Sequence, residues 1–445
     1  MDKKLKVSIR TFGCQMNEYD TQVASGLLKH EGFQLTEDES QADVYLMNTC
    51  SVREHAEDRV FSRLGMLGKA KKRNPDLIVG LMGCMVEEHR EKLFKRFPQL
   101  DLMVGTRNIT ELPALIEEVA RNRKQVAKIK QDGLSIEYTD LIQRNSQYHA
   151  WLPIMTGCDK VCTFCIVPVT RGAEVSMPAR EVYREASRLV GEGVKALTLL
   201  GQNVNSYSGG ETDFPQLLDM LCRIDGLERI MFTTSHPSDA TEELFQVIAK
   251  NPKISRRFHL PLQSGSDRML KRMKRLHTYE NYKAKINRMR ELIPEIAVTT
   301  DMIAGFCGET EEDHRAAQRA LEEIRYDGAY IYKYSVRPGT SASKLSDDVP
   351  IHEKARRHHE LLEIQTRISG EINRGRIGKT VEVLVEEISP KDPSKLLGRT
   401  REEKRVVFSG EKALLGTFTQ ITLKSLRHET FLGELVPEGE PIFKS

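Results

Sequence analysis

The feature that most constrains the fold of this chain is a repeated alternation of short apolar runs with amphipathic helical patterns. Such alternation is typical of parallel α/β sheets, because each helix returns the chain to the end of the sheet where the next strand begins. Near the N-terminus, three apolar runs are predicted as strands, and a helical pattern follows each of them: Lys6–Thr11, Val44–Asn48 and Leu77–Met82. These runs predict an N-terminal parallel α/β domain over residues 1–125.

The alternation resumes with wider spacing after residues 126–147, a polar stretch that is predicted to be a linker. Six further runs are predicted as strands: Leu152–Thr156, Ala196–Leu200, Ile230–Thr234, Phe258–Leu262, Val298–Ile303 and Ala329–Tyr334. Amphipathic patterns between them predict four helices: Ala179–Val190, Glu242–Lys250, Tyr279–Leu292 and Glu311–Arg325. Because eight such units make a full barrel, a partial (β/α)6 barrel over 148–375 is the favoured prediction, with a doubly wound sheet as the alternative.

The last part of the chain changes character after a helical pattern over Ile351–Arg374. The segments VEVLVEEIS, KRVVFSG and TFTQITLKSL read as short strands separated by glycine-containing turns. This spacing is typical of small all-β folds. Residues 376–445 are therefore predicted to form a small β-barrel.

Composition and charge exclude several classes of protein. The chain has 445 residues, which is more than one hydrophobic core normally serves, so about three domains are expected. Its 39% hydrophobic and 29% charged residues are typical of globular proteins and not of disordered ones. Since no apolar run approaches the ~20 residues of a membrane helix and no signal peptide is evident, we expect a cytoplasmic protein without a membrane partner. The net charge of +3 neither requires nor excludes a nucleic-acid partner.

Three cysteines lie close together at the end of the first predicted barrel strand. Cys158, Cys162 and Cys165 form a C-x3-C-x2-C motif in GCDKVCTFCIVP. Cysteines in a reducing compartment are read first as metal ligands or catalytic groups. Zinc usually takes four protein ligands, and the nearest fourth candidate, His149, lies upstream at the other end of the strand. An iron–sulfur cluster is therefore favoured, and a zinc site remains the alternative.

Three other cysteines share one local setting although they are far apart in sequence. Cys14, Cys50 and Cys84 each end a predicted strand and open a predicted helix. Because the carboxyl ends of parallel strands meet at one edge of a sheet, these thiols are predicted to converge there. A helix N-terminus also favours the thiolate form of a cysteine. The alternative is three unconnected small residues at tight turns.

The first cysteine motif, with Phe164 before its last cysteine, resembles the signature of radical S-adenosylmethionine (SAM) enzymes. The resemblance implies a [4Fe–4S] cluster on Cys158, Cys162 and Cys165, with one iron left open for SAM. It also implies that an electron from this cluster cleaves SAM to a 5′-deoxyadenosyl radical. A radical enzyme of this kind needs no Ser/His/Asp triad or carboxylate pair, and the sequence offers none with persuasive spacing.

The segments TFGCQMNEYD, MNTCSVREHA and GLMGCMVEEH resemble the N-terminal domain of the methylthiotransferases, as do LLGQNVNSY, TTSHP, HLPLQSGS, DMIAGF and SVRPGT in the barrel. This resemblance implies a second [4Fe–4S] cluster on Cys14, Cys50 and Cys84, whose catalytic role is to carry the added sulfur. LLGQNVNSY points to the branch that adds a methylthio group to C2 of N6-isopentenyladenosine at tRNA position 37. The rivals are relatives that act on threonylcarbamoyl-adenosine or on a ribosomal protein, and an RNA-binding protein with structural metal sites.

Polar residues at predicted strand ends are the candidates for orienting SAM, because they offer hydrogen bonds without charge: Gln202, Asn203, Ser235 and Gln263. Ordinary polar loop residues are the alternative reading of each one. The resemblance further implies three partners: the anticodon stem-loop of tRNA, an electron donor, and an iron–sulfur or sulfur delivery system.

Two basic runs are candidates for contacts with RNA. The segment GRTREEKRVVF resembles the TRAM module, and its basic residues are proposed to bind RNA phosphates: Arg399, Arg401, Lys404 and Arg405. Within this segment, Glu403 stands where Asn is more usual in the family. The second run lies in the barrel domain: Arg268, Lys271, Arg272, Lys274 and Arg275. For both runs the alternative is a solvated surface.

Overall fold

In the computed structural model, residues 4–51, 54–129 and 140–436 are described. Residues 130–139 of the predicted linker and residues 437–445 of the predicted β-domain lie outside these ranges. The chain forms an N-terminal parallel sheet, a central barrel-like domain and a C-terminal closed β-barrel. None of the helices in the described ranges is both long and apolar enough to cross a lipid bilayer.

The N-terminal domain is a six-stranded parallel sheet with the spatial order β2-β1-β3-β4-β5-β6. Its strands are β1 Lys6–Phe12, β2 Gln34–Leu35, β3 Val44–Thr49, β4 Ile78–Gly83, β5 Leu102–Val104 and β6 Val126–Lys128. Its helices are α1 Gln15–His30, α2 Glu54–Arg73, α3 Cys84–His89, α4 Lys92–Arg96 and α5 Leu112–Asn122. Apolar side chains of β3 and β4 are buried on both faces, as parallel strands covered by helices require.

The three predicted N-terminal strands are confirmed, while three shorter ones escaped the sequence analysis. One of these, β6, lies in the stretch predicted as linker from residue 126, so the sheet extends three residues beyond the predicted start of that linker. Among the described residues, β6 is a mostly exposed edge strand that pairs with β5 alone, from Leu102–Val126 to Val104–Lys128. An edge strand with little buried surface carries no apolar pattern, and its pairing alone defines it.

The central domain has six parallel barrel strands that follow one another in chain order. They are accompanied by four short strands, so the domain contains β7 His149–Pro153, β8 Met155–Thr156, β9 Val175–Ser176, β10 Ala196–Leu200, β11 Ser208–Gly209, β12 Thr212–Asp213, β13 Arg229–Phe232, β14 Arg257–His259, β15 Ala297–Ala304 and β16 Gly328–Lys333. The helices are α6 Val167–Thr170, α7 Ala179–Gly191, α8 Phe214–Cys222, α9 Glu242–Lys250, α10 Asp267–Arg272, α11 Tyr279–Leu292, α12 Glu311–Ile324 and α13 Ile351–Arg374.

The barrel strands form two halves, β7-β10-β13 and β14-β15-β16. A single parallel bridge between Ile230 and Ile254 joins the halves just before β14. The strand order never reverses, as it would in a doubly wound sheet, so the prediction of a partial (β/α)6 barrel is confirmed and the alternative is wrong. One continuous apolar core lies between the strands and the surrounding helices.

The C-terminal domain is a closed five-stranded barrel, as predicted. Its strands are β17 Thr380–Ile388, β18 Lys395–Thr400, β19 Arg405–Ser409, β20 Phe418–Arg427 and β21 Thr430–Leu435. The order β17-β18-β19-β21-β20 closes because β20 pairs back onto β17. A separate apolar core fills the interior, and closure leaves no unpaired strand edge.

Candidate active site

The N-terminal trio, which we define as Cys14, Cys50 and Cys84, lies at the carboxyl ends of three neighbouring strands. Cys14 follows β1 and caps helix α1, Cys50 follows β3, and Cys84 follows β4 as the first residue of α3. The strands β1, β3 and β4 are adjacent in the sheet, so the structure brings the three cysteines together at one edge.

The thiols of the N-terminal trio sit in unequal electrostatic environments. A hydrogen bond with Cys50 and the nearby charge of Arg171 lower the pKa of Cys14 from 9.0 to about 6. Burial raises the pKa of Cys84, although the Arg171 guanidinium opposes the rise. The guanidinium Nε donates to Cys84 Sγ at 3.3 Å. A cation and hydrogen-bond donors around cysteines favour their thiolate form, which is the form that binds metal.

The barrel trio, which we define as Cys158, Cys162 and Cys165, occupies the loop between β8 and α6. The backbone N–H of Cys165 donates to the carbonyl of Cys162 at 3.1 Å, which curls the loop. Gly157 permits this path at a φ of +77°, which glycine adopts readily. A residue with a side chain would not fit, because its Cβ would lie 1.9 Å from the carbonyl oxygen of Ala173. Burial raises the pKa of Cys165 to about 12.

A single cavity of about 610 Å³ joins the two trios. Cys14 and Cys50 line it from the N-terminal domain, and Cys165 lines it from the barrel. Arg337 also lines the cavity, and it links the two domains through a 2.5 Å ion pair with Glu57 of α2. Two cysteines of the N-terminal trio and one of the barrel trio therefore face one chamber between the domains.

Neither trio forms a compact single-ion site. In the described part of the chain, one group of three His, Cys, Asp or Glu residues has its ligand atoms within 4.8 Å of one another, and it consists of Glu57, Glu88 and His89. A single zinc ion with Zn–S bonds of about 2.3 Å would draw its thiolates to about 3.8 Å apart. The assignment of the two trios as cluster ligands rests on the cysteine motifs and stays a prediction.

The four residues predicted to orient SAM divide into two pairs. Gln202 and Gln263 line the cavity, and Gln202 Oε1 accepts a hydrogen bond from the Gly157 N–H at 2.6 Å. Asn203 and Ser235 are buried next to lining residues without lining the cavity themselves. Within the described ranges, the buried atoms Asn203 Oδ1 and Ser235 Oγ have no hydrogen-bond partner.

Several polar residues of the cavity wall were not identified from the sequence. Arg257 and His259 project from β14 into the cavity, and Asp301 projects from β15 beside them. His259 Nε2 lies 3.5 Å from Asp301 Oδ2, and Arg257 Nη2 lies 3.3 Å from Tyr330 Oη. The two-residue spacing of Arg257 and His259 is the alternation of an inward strand face, and it was the one available signal.

The basic run of the C-terminal barrel mostly contacts protein. Arg399 pairs with Glu386 at 3.2 Å, Arg401 donates to the carbonyl of Pro252 at 2.5 Å, and Lys404 pairs with Asp327 at 3.2 Å. Pro252 and Asp327 belong to the central domain, so two of the four side chains help to dock the barrel there. Arg405 is exposed.

Glu403, the departure from the family pattern, also joins the two domains. Its carboxylate accepts from Ser255 Oγ at 3.0 Å and pairs with Arg257 Nη1 at 2.8 Å. Since Arg257 lines the cavity, this ion pair connects the C-terminal barrel directly to the cavity wall.

The second basic run, in the central domain, is exposed except at Arg275. Arg268 pairs with Asp313, and Arg272 donates to the carbonyl of Cys307 at 2.8 Å. Arg275 is buried, and its Nη1 donates to Cys162 Sγ at 3.3 Å. The four exposed side chains agree with a solvated face, and their contact with RNA stays a prediction. Arg275 departs from that face, because a charge pattern does not reveal which side chains turn inward.

Three family models match the chain. They are described as "Uncharacterized protein family UPF0004" over residues 6–105, "Radical SAM superfamily" over residues 152–321, and "TRAM domain" over residues 374–436. Each of the first two matches lies within one structural domain, and the third covers the described strands of the C-terminal barrel.

Relatives of similar length match almost the whole chain. The tRNA-2-methylthio-N(6)-dimethylallyladenosine synthase of Dictyoglomus thermophilum is 44% identical over 97% of this chain and 99% of its own. The synthase of the same name from Chlorobium phaeobacteroides is 44% identical over 96% of each chain. Among solved structures, the radical SAM methyltransferase TsrM from Kitasatospora setae, with cobalamin and a [4Fe-4S] cluster bound, matches 76% of this chain and 77% of its own. Its TM-score of 0.53 at 14% identity shows a shared fold.

Proposed function

The chain belongs to the tRNA-2-methylthio-N(6)-dimethylallyladenosine synthase family, and on that premise we propose that it adds a methylthio group to C2 of N6-isopentenyladenosine at tRNA position 37. The isopentenyl group is the dimethylallyl group of the family name. The enzyme class is that of a radical SAM methylthiotransferase. A cytoplasmic location is part of the proposal, because tRNA is the substrate.

The observation that carries the proposal is the single cavity between the two cysteine trios. Removing hydrogen from a carbon and attaching sulfur to the same carbon requires that both sets of sulfur ligands face one bound base. The cavity supports the proposal because Cys14, Cys50 and Cys165 line it, and it lies between domains, where water is excluded more easily than on an open surface.

Each trio is proposed to hold one [4Fe–4S] cluster, and Gln202, Asn203, Ser235 and Gln263 are proposed to orient SAM. When bound, these groups supply an electron, a radical that removes hydrogen, and the sulfur and methyl group that replace it. The chain itself holds the ligands in place: Gln202 fixes the backbone at Gly157, and the N–H of Cys158 donates to the carbonyl of Gly172 at 3.2 Å.

The C-terminal barrel is proposed to bind the anticodon stem-loop, which supports entry of an unstacked base into the cavity. Arg405 is its exposed candidate for phosphate contact, whereas Arg399, Arg401 and Lys404 are proposed to reach RNA only with the part of each side chain that stays accessible. An electron donor and a sulfur delivery system complete the proposed partners.

The test is anaerobic reconstitution of the protein with iron and sulfide, followed by reaction with reductant, SAM and tRNA that carries N6-isopentenyladenosine. Mass spectrometry of the digested tRNA should show that this nucleoside gains one CH2S unit, and 5′-deoxyadenosine should accumulate. We expect Cys162→Ala to abolish SAM cleavage. Cys50→Ala should spare much of the cleavage but stop sulfur insertion. Cys222→Ala, in a cysteine of α8 that belongs to neither trio, is the matched control and should behave as the wild type.

The possible outcomes separate the alternatives. Modification only of tRNA with threonylcarbamoyl-adenosine, or only of a ribosomal protein, would assign the chain to a different branch. Bound zinc and no 5′-deoxyadenosine would indicate an RNA-binding protein with structural metal sites. Retained methylthiolation in Cys50→Ala would contradict the role of the N-terminal trio.

A further inference from the structure

Arg171 lies between the two cysteine trios, at a position that the sequence did not single out. It follows helix α6 in the central domain, but its side chain, which is only 4% exposed, reaches into the N-terminal domain. Its Nε donates to Cys84 Sγ at 3.3 Å, and its Nη2 donates to Asp20 Oδ2 at 2.8 Å. The guanidinium therefore bridges a cysteine of the N-terminal trio and a buried carboxylate of α1.

The backbone of the next residue, Gly172, contacts the barrel trio. The carbonyl of Gly172 accepts a hydrogen bond from the N–H of Cys158 at 3.2 Å. The carbonyl of Arg171 accepts one from Arg107 Nη2 of the N-terminal domain at 2.9 Å. Two consecutive residues thus contact one cysteine of each trio, and a displacement of this segment would move the two sets of sulfurs relative to each other.

We propose that Arg171 is a positioning residue that fixes Cys84 against the barrel trio and makes a cluster held by the N-terminal trio easier to reduce. The proposal rests on the proposed function, because it needs a cluster on that trio.

The physical reason is the direction of the N–H···S hydrogen bond. Reduction adds negative charge to a cluster, and a donor or cation at a ligand sulfur stabilises the reduced form more than the oxidised form. Asp20 holds the guanidinium in this orientation and offsets part of its charge. A lysine at this position would keep the charge but would lack the planar fork that reaches both partners.

The barrel trio has a corresponding arginine, which provides a matched comparison. Arg275 is 4% exposed, donates to Cys162 Sγ at 3.3 Å and donates to the carbonyl of Pro261 at 2.7 Å. Each trio therefore receives one buried guanidinium on one sulfur. Substitution of each arginine should change the reduction potential of its own cluster and leave that of the other cluster unchanged.

The experiment measures the reduction potential of the N-terminal cluster in the full-length chain by redox titration monitored by electron paramagnetic resonance. The barrel trio is replaced by alanine so that only this cluster contributes. We expect Arg171→Gln to lower the equilibrium constant for reduction about tenfold, which is about 59 mV for one electron. Arg171→Lys should lower it about threefold, since the charge remains. Arg275→Gln in the same chain should leave it within about twofold.

The proposal would be overturned by an equilibrium constant for reduction in Arg171→Gln that stays within about twofold of the parent value. An equal shift caused by Arg275→Gln would overturn it as well. If Arg171→Gln does not retain a complete cluster, Arg171→Lys decides: the lowered potential supports the proposal and an unchanged potential overturns it. These measurements do not depend on tRNA. A wild-type enzyme that fails to modify tRNA would refute the proposed function, while the potentials would still test Arg171.

Discussion

Arg229 connects the central domain to the C-terminal barrel, and its removal should loosen that interface. The side chain is 3% exposed at the start of β13. Its Nη1 donates to the carbonyls of Arg399 and Thr400 at 3.0 and 3.2 Å, and its Nη2 pairs with Glu382 at 3.0 Å. The guanidinium carbon lies 4.8 Å from the centre of the Phe418 ring. Arg229→Met would keep most of the apolar contact and remove the donors.

The expected cost follows from these contacts. Each of the two carbonyl bonds from a charged donor contributes about 1.5 kcal/mol at the low end of the usual range. The ion pair with Glu382 adds little to the stability of the interface, because the Glu382 side chain is 41% exposed and its carboxylate binds water when the pair is lost. The sum of about 3 kcal/mol corresponds to about a hundredfold increase in the population of the undocked interface.

Hydrogen exchange measures this population directly. The backbone N–H of Arg256 donates across the same interface to the carbonyl of Arg401 at 2.8 Å, so it exchanges when the interface opens. We expect exchange in the peptide that contains Arg256 to accelerate about a hundredfold in Arg229→Met. The interior of the C-terminal barrel, including Val385 and Phe408, should keep its protection because Arg229 is not part of that core.

Arg223→Met is the matched control, because Arg223 is exposed and, within the described ranges, forms its one ion pair with Asp219 of α8. It should leave exchange at Arg256 unchanged. Exchange at Arg256 within about threefold of the wild type in Arg229→Met would refute the reasoning that these bonds hold the interface.

Two further predictions concern backbone space and pH. Gly157→Ala should lose the iron of the barrel trio, because the new Cβ would lie 1.9 Å from the Ala173 oxygen; the measurement is the iron content per chain. The control is Gly193→Ala, at a φ of +96° but in open space, which should lower the free energy of unfolding by about 1 kcal/mol and keep the iron. Burial, followed by the charge of Arg399, lowers the pKa of His149 from 6.5 to about 3. Below pH 6.5 the imidazole of His149 therefore binds a proton in the unfolded chain but not in the folded one. The free energy of unfolding is highest above pH 6.5 and decreases as the pH falls toward 3, by up to about 1.4 kcal/mol per pH unit. Urea unfolding between about pH 7 and about pH 5 should show a shallower loss in His149→Gln, and an unchanged slope would contradict the role of this imidazole.

The regular elements of the catalytic domains were predictable because their signal is local. Helices α9, α11 and α13 begin and end at the residues that the apolar pattern predicts. The apolar pattern did not predict β6, because this exposed edge strand buries too little surface to require alternating apolar residues. Strand pairing, not composition, defines such an element.

The cysteine positions were predictable for a similar reason. A cysteine that ends one strand and opens one helix lies at the carboxyl edge of a parallel sheet, so three such positions on β1, β3 and β4 converge without further information. The reaction that the resemblance implies requires the N-terminal trio and the barrel trio to face one chamber. The spacing of residues could not show this, since the linker between the two domains specifies no orientation.

The charged residues were the least predictable part of the site. Arg275 and Arg405 both lie in basic runs, yet one is buried against Cys162 and the other is exposed. Arg171, Arg257 and Asp301 reach partners from separate elements, and no sequence spacing relates them.

The amino-acid sequence by itself determined the three domains, their strand and helix order, and the edge of each sheet where sulfur ligands gather. These properties arise from hydrophobic periodicity and chain direction, which act over a few residues. Only the tertiary structure decided which arginine meets which sulfur, and that the two domains enclose a common cavity. Those contacts join residues on separate elements, and long-range packing between domains, not local periodicity, fixes their distances.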